Sequence, residues 1–333
     1  MNSSDRSRLR TVLRLSVTVV LIAVLISLCD WGKFAELAKG AEIFWLGVSI
    51  ACLVVYFVLG WLSLALLCLP KDKRSSWWRG LGDYGLVQAF ALLTPGRAGE
   101  LSLPLALRSL DVDVGEVSAA IVVQRLVTVV VLSGLALAAG GWIYAPVAWI
   151  GFGFAALIWL AITFFAKRMP TLKPGRGGFT SRLIKFVEET RKGWRTILTD
   201  RQVELAAHTL LMILRTLVNA GVGYAVILAL GLSMPLVAWL GIVAVGSLVA
   251  IIPITIMGLG IVEGIYVLAF KGLGETYEAG LAVSLIARML TILTLLVWAG
   301  VSTAISLVRT RSAEVSTTAT VDPPRRPTSQ EDS

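Results

Sequence analysis

Long apolar runs separated by short polar stretches make up most of the chain. The runs over residues 11–29, 42–69, 116–139, 143–166, 203–232 and 279–308 each approach or exceed the ~20 residues that carry a helix across a bilayer. They predict six full transmembrane helices. Two further apolar stretches are interrupted. Residues 80–110 carry Asp83 and Gln88 and break at Pro95-Gly96; residues 236–270 break at Pro253 and again around Gly258 and Gly260. Each half is too short to cross, and open backbone at membrane depth survives only where protein or a wet cavity covers it. Both stretches therefore read as helical hairpins. The predicted fold class is an all-α integral membrane protein with six full transmembrane helices plus two oppositely oriented re-entrant helical hairpins.

The polar residues inside these runs repeat. An offset of 163 carries Glu100 to Glu263, Arg108 to Lys271, Arg125 to Arg288 and Thr128 to Thr291 without a gap. Charged residues are scarce in such runs, so this register predicts an internal repeat over about 42–139 and 203–308.

Composition agrees with the pattern. Hydrophobic residues make up 56% of the chain and charged residues 15%, with a mean hydropathy of +0.82, values of an integral membrane protein. The formal charge of +9 requires no nucleic acid, because Lys and Arg gather in cytoplasmic loops. Arg6, Arg8 and Arg10 precede the first run, which reads as a retained signal anchor. Lys71, Lys73, Arg74 and Arg79 follow the second, ten Lys and Arg fall within 167–201, and Arg309 and Arg311 follow the last. Both termini are thus expected in the cytoplasm, in the cytoplasmic (inner) membrane of the cell. The first hairpin then opens inward and the second outward, which inverts the repeats. Residues 1–312 form the membrane domain, and the polar residues 313–333 a disordered tail. Within the basic segment, Leu183, Phe186, Val187, Trp194, Ile197 and Leu198 share one helical face. That face fits either an interfacial helix on anionic lipid or a solvated linker. Cys29, Cys52 and Cys68 lack metal-ligand spacing and read as small core residues.

Depth selects the candidate site. Arg125 and Arg288 each lie nine residues into a span, about 14 Å at 1.5 Å per residue, near the middle of a core about 30 Å thick. Arg215 lies twelve residues into its own span, and Glu100 and Glu263 follow the hairpin breaks. A lone charge at a helix centre costs about 2.5–3.5 kcal/mol or more, so such residues face a cavity or each other. Two readings stay open: Glu–Arg pairs that pin each hairpin to the next span, or a substrate site of Arg97, Glu100, Arg125, Arg215, Glu263 and Arg288. A pin does not explain Arg97 or Arg215. The four arginines outnumber the two glutamates, and Arg forks match phosphate oxygens. Helix N-termini at the breaks also favour anions. His208, the single histidine, has no second His or nearby Cys for a metal. The Gly260 and Gly264 spacing signals close helix packing. No catalytic constellation and no cofactor are expected.

Pro95-Gly96-Arg97-Ala98-Gly99-Glu100 with the later Arg125, and the glycine-rich stretch holding Glu263 with the later Arg288, resemble the membrane domain of lysylphosphatidylglycerol synthetases. That domain also occurs alone in flippase-like proteins. The resemblance covers about residues 10–310. The second break, with Pro253, Gly258 and Gly260, departs from the Pro-Gly-Gly-x-Gly pattern of the family. The chain ends 22 residues after Arg311, without the soluble aminoacyltransferase domain. The resemblance therefore implies lipid translocation rather than lipid aminoacylation.

Three functions follow as expectations. The first is a flippase-like transporter of an anionic or headgroup-modified lipid, of phospholipid or polyprenyl-phosphate type. The second is a lipid-phosphate enzyme, with Glu100, Glu263, Asp83 and His208 as its available acid–base groups. The third is a non-catalytic scaffold or accessory subunit of an envelope-lipid pathway. Membrane lipids are the expected partners; lipid-biosynthesis enzymes and a second copy of the chain are compatible with the sequence.

Overall fold

The computed structural model describes residues 27, 30–69, 77–92, 94, 99–100, 102–107, 112–140, 145–168, 179–251 and 258–319. Among them there is helix and no strand. In chain order the helices are α1 (Trp31–Lys39), α2 (Ile43–Cys68), α3 (Trp77–Leu92), the single turn α4 (Leu103–Ala106), α5 (Val114–Gly140) and α6 (Ala145–Arg168). They continue with α7 (Phe179–Thr199), α8 (Gln202–Ala229), α9 (Leu236–Ile251), α10 (Ile261–Gly272) and α11 (Tyr277–Ala319). Among the described residues four segments are long and apolar enough to cross a membrane: Ile43–Cys68, Val114–Ala139, Gln202–Ala229 and Tyr277–Ala304. Shorter apolar stretches occupy Pro146–Ala161 in α6 and Leu236–Ile251. The predicted first span, 11–29, lies outside the described residues apart from Ser27. α11 runs to Ala319, so helix continues into the stretch read as a polar tail; residues 320–333 are not described.

The longest helix contact joins α2 to α8. The pair is antiparallel. Glu42 N donates to Ala229 O at 2.8 Å, Ser49 Oγ to Val222 O at 3.0 Å, and Arg201 Nη1 to Leu67 O at 2.6 Å. Near the same end His208 Nδ1 meets Ser63 O at 2.8 Å. Lipid tails are as apolar as Leu, so helices in a membrane are held by small residues and polar links rather than by hydrophobicity. α2 follows this rule. Its polar contacts and Leu53, Phe57, Trp61 and Leu64 are buried, whereas Ile43, Phe44, Val54 and Val55 remain exposed.

The same offset of 163 recurs in the helix starts. α5 starts at Val114 and α11 at Tyr277, again 163 apart. α5 packs extensively on α9, and α11 on α3. α5 and α11, whose starts are related by the offset, are thus each packed on a shorter helix from the other half of the chain. Two cores result. One gathers Trp61, Tyr84, Leu103, Val123, Trp194 and Ile197; the other gathers Trp239, Ile242, Phe270 and Val283, with Trp239 Nε1 donating to Ala220 O at 2.7 Å.

The basic helix α7 corrects both readings of its apolar face at Trp194 and Ile197. These side chains are buried and belong to the first core, packed on the protein rather than on lipid or solvent. The cause is a pair of glycines. A Cβ at Gly115 would overlap the Glu189 backbone, and one at Gly193 would stand 2.9 Å from Glu116 Cα. Without those Cβ atoms α7 crosses α5 at backbone contact, and Trp194 packs edge-on against Trp159 with centroids 5.1 Å apart. Phe186 and Val187 stay exposed. Arg201 closes this end, reaching Glu116 Oε2 at 3.3 Å as well as Leu67 O.

Candidate functional site: a cavity between the repeats

The two chain breaks are built differently. At the first, Thr94 Oγ1 donates to Ala91 O at 3.0 Å and accepts from Gly99 N at 2.7 Å. A Cβ at Gly99 would stand 2.6 Å from Ala91 Cα, so only glycine lets the returning chain touch the end of α3. Ser102 Oγ then donates to Gly99 O at 2.7 Å. At the second, Gly258 and Gly260 take φ of 70° and 84°, the left-handed region that glycine enters without penalty. Glu263 caps α10 by accepting from Gly260 N at 2.7 Å, which places an acid in the positive first turn of the helix.

These breaks present one carboxylate each to a long helix. Arg125 Nη2 donates to Glu100 Oε2, and Arg288 Nη2 lies 2.6 Å from Glu263 Oε1. The pairs differ in exposure: Arg125 and Glu100 side chains are 38% and 13% exposed, Arg288 and Glu263 17% and 2%. Arg215 comes from α8. Its guanidinium carbon lies 4.2 Å from the centroid of the Tyr56 ring, a cation–π arrangement. A Cβ at Gly60 would stand 3.0 Å from that carbon and 2.6 Å from Tyr84 Oη, so Gly60 provides the space both groups occupy.

Glu100, Arg125, Arg215 and Arg288 line one cavity of about 410 Å³. Glu263 lies beneath Arg288, with its neighbours Gly258, Val262 and Tyr266 forming the wall. The pseudo-symmetry extends to that lining: Ile121 and Ser284, Gln124 and Ala287, Thr128 and Thr291, and Leu132 and Leu295 are each 163 apart. Thr128 and Thr291 both donate to the carbonyl four residues earlier. Arg97 lies outside the described residues. Among the described site residues, Arg125, Arg215 and Arg288 stand against Glu100 and Glu263, an excess of one positive charge. Guanidiniums lining a cavity recognise phosphate or carboxylate by charge-assisted hydrogen bonds.

Sequence reasoning left Tyr56, Tyr84, Gln88 and Gln124 out of the site, although all four line the cavity. Gln124 and Thr128 had a usable signal, being beside Arg125 and one turn after it on the same helix. Tyr56 had none, since its meeting with Arg215 depends on the α2–α8 register. His208 is buried and does not line the cavity. Among the described residues no three His, Cys, Asp or Glu side chains cluster as a metal site would require.

Neither curated proteins nor solved structures gave a match to the chain. A family model does: the lysylphosphatidylglycerol synthase TM region aligns over residues 11–299. That span includes both breaks and both Glu–Arg pairs, and the protein belongs to the lysylphosphatidylglycerol synthase TM region family.

Proposed function

We propose that the protein is a flippase-like transporter that moves an anionic or headgroup-modified lipid, of phospholipid or polyprenyl-phosphate type, between leaflets. The observation that carries this reading is the convergence of both Glu–Arg pairs and Arg215 on one cavity. A lipid phosphate there balances the excess charge. Broken helices around a central site, in repeats of opposite orientation, are the architecture of many secondary transporters. On this reading the α3–α4 and α9–α10 segments are re-entrant hairpins, six helices span the cytoplasmic (inner) membrane, and both termini face the cytoplasm. The chain moves lipid without changing it covalently and needs no cofactor. The ten Lys and Arg of 167–201 fix that orientation.

The decisive experiment is leaflet-resolved transport in proteoliposomes, comparing phosphatidylglycerol, its lysyl derivative and a polyprenyl phosphate with a zwitterionic lipid. Accelerated movement of at least one anionic or headgroup-modified lipid, lost in the Arg125→Gln/Glu100→Gln double variant, is the expected result. Equal rates with and without protein for all of them would overturn it. One observation favours a second reading, the scaffold of an envelope-lipid pathway: Arg125 and Arg288 already hold carboxylates. A scaffold predicts no transport and retention of pathway enzymes on pull-down, with the double variant binding as well as the parent.

A further inference from the structure

α3 and α11 meet closely at one end and part at the other. A Cβ at Gly85 would overlap the Trp298 indole, and one at Gly82 would touch Ser302 Oγ at 3.5 Å. One turn further along α3 a second hollow of about 710 Å³ opens between α3, α4 and α11. Leu86, Phe90, Leu105 and Leu296 on its walls are 48%, 54%, 56% and 60% exposed, and among the described residues Ser102 is the one polar residue in its lining. Ile292 and Leu295 belong to this hollow and to the arginine cavity alike. A cationic chamber and an apolar recess thus share a wall.

At one position the other repeat is covered where this one is open. Ser133, which the offset of 163 relates to Leu296, is buried, and Gly151 of α6 is seated on its Oγ and near Leu248. At this position the two halves differ, and the exposed Leu296 borders the hollow that adjoins the cavity.

We propose that the hollow holds an acyl chain of the same lipid whose phosphate meets Arg125 and Arg288, making the α3–α11 seam the lateral doorway of the cavity. This rests on the anionic-lipid reading above. A free phosphate would need the chamber alone. A second protein copy would meet a concave recess rather than a flat face. An amphiphile needs anion-binding and apolar surfaces that touch, and Ile292 and Leu295 supply the junction.

The test uses the full chain in phosphatidylglycerol vesicles with two photoactivatable probes of that lipid, one with a diazirine near the acyl terminus and one with it on the headgroup. Peptide mass mapping locates the adducts. The tail probe should label around Leu86, Phe90, Leu105 and Leu296, and the headgroup probe around Arg125 and Arg288. Leu296→Trp and, separately, Leu105→Trp should abolish most of the tail labelling there by filling the hollow, with thermal stability retained because both positions are exposed. Headgroup labelling in the cavity with tail labelling elsewhere would overturn the doorway and leave the lipid reading standing. Loss of both signals would overturn the lipid reading itself. Equal tail labelling of Val54 and Leu157, which are also exposed, would reduce the hollow to ordinary lipid contact. Full disulfide capture of Leu296→Cys by Ala23→Cys, within 11–29, would assign the recess to the chain's own first apolar segment and sink the proposal.

Discussion

Arg288→Gln strands Glu263, a carboxylate that is 2% exposed and lies beneath the cavity wall. Arg125→Gln strands Glu100, which lines the cavity in a pair whose arginine is more than one-third exposed. Removing one partner of a buried ion pair costs about 3–5 kcal/mol, whereas an unsatisfied polar group in wetter surroundings costs about 1–3 kcal/mol. At roughly 2–4 °C per kcal/mol, Arg288→Gln should lower the melting temperature by about 6–20 °C and Arg125→Gln by about 2–12 °C. Adding Glu263→Gln to Arg288→Gln removes the orphan and should restore most of the loss. Transport should respond differently. Glu100→Gln with Arg125→Gln should fold and stay inactive, because the anion has lost a guanidinium. Melting in detergent beside leaflet-resolved transport reads both quantities. Greater destabilisation by Arg125→Gln than by Arg288→Gln would refute the exposure argument, and a freely transporting double variant would reduce the first pair to a pin.

Other outcomes follow from particular contacts. Gly60→Ala places a methyl 3.0 Å from the Arg215 guanidinium; transport should fall at least about tenfold while stability changes by about 1–3 kcal/mol, the usual range for overpacking, and a transport rate equal to the parent's would show that the Arg215–Tyr56 arrangement is dispensable. Gly193→Leu should separate α7 from α5 and expose Trp194, read as a red shift of tryptophan emission and faster proteolysis of 179–199; unchanged protection would refute the backbone-contact account. Arg201→Gln removes the links to Leu67 O and Glu116 and should lower stability by about 1.5–3 kcal/mol, as for hydrogen bonds to charged groups. In intact cells a cysteine at Glu275 should react with an impermeant thiol reagent and one at Gly177 should not; labelling of residue 177 from outside would reverse the proposed orientation.

Much of the helical frame was legible because bilayer length and apolar run length are the same physical quantity. α2, α5, α8 and α9 fall within a few residues of their predicted bounds. The pairing of Glu100 with Arg125 and Glu263 with Arg288 was legible for another reason: charges scarce enough to stand out keep a constant offset. The destination of a helical face was not. Periodicity groups Trp194 with Ile197 but names no partner, and the close approach of α7 to α5 that buries them depends on Gly115 and Gly193, silent in any hydropathy profile. Tyr56 was invisible in the same way, since an aromatic in an apolar span reads as packing until Arg215 is seen above it. The break at Gly258 and Gly260 was readable because its backbone demands glycine.

The exchanged packing of α3 with α11 and of α5 with α9 bears on how the chain is made. α11 begins at residue 277 and α3 ends at residue 92, so 185 residues separate helices that cover each other. At about 5–20 residues per second, α3 emerges roughly 9–37 s before its partner exists. During that interval Gly82 and Gly85 present a notch without its Trp298, and the polar Asp83 and Gln88 wait beside it. A chain stopped after the first repeat has no means of closing that surface. Completion of α11 is the event that covers that surface and joins the two inserted halves.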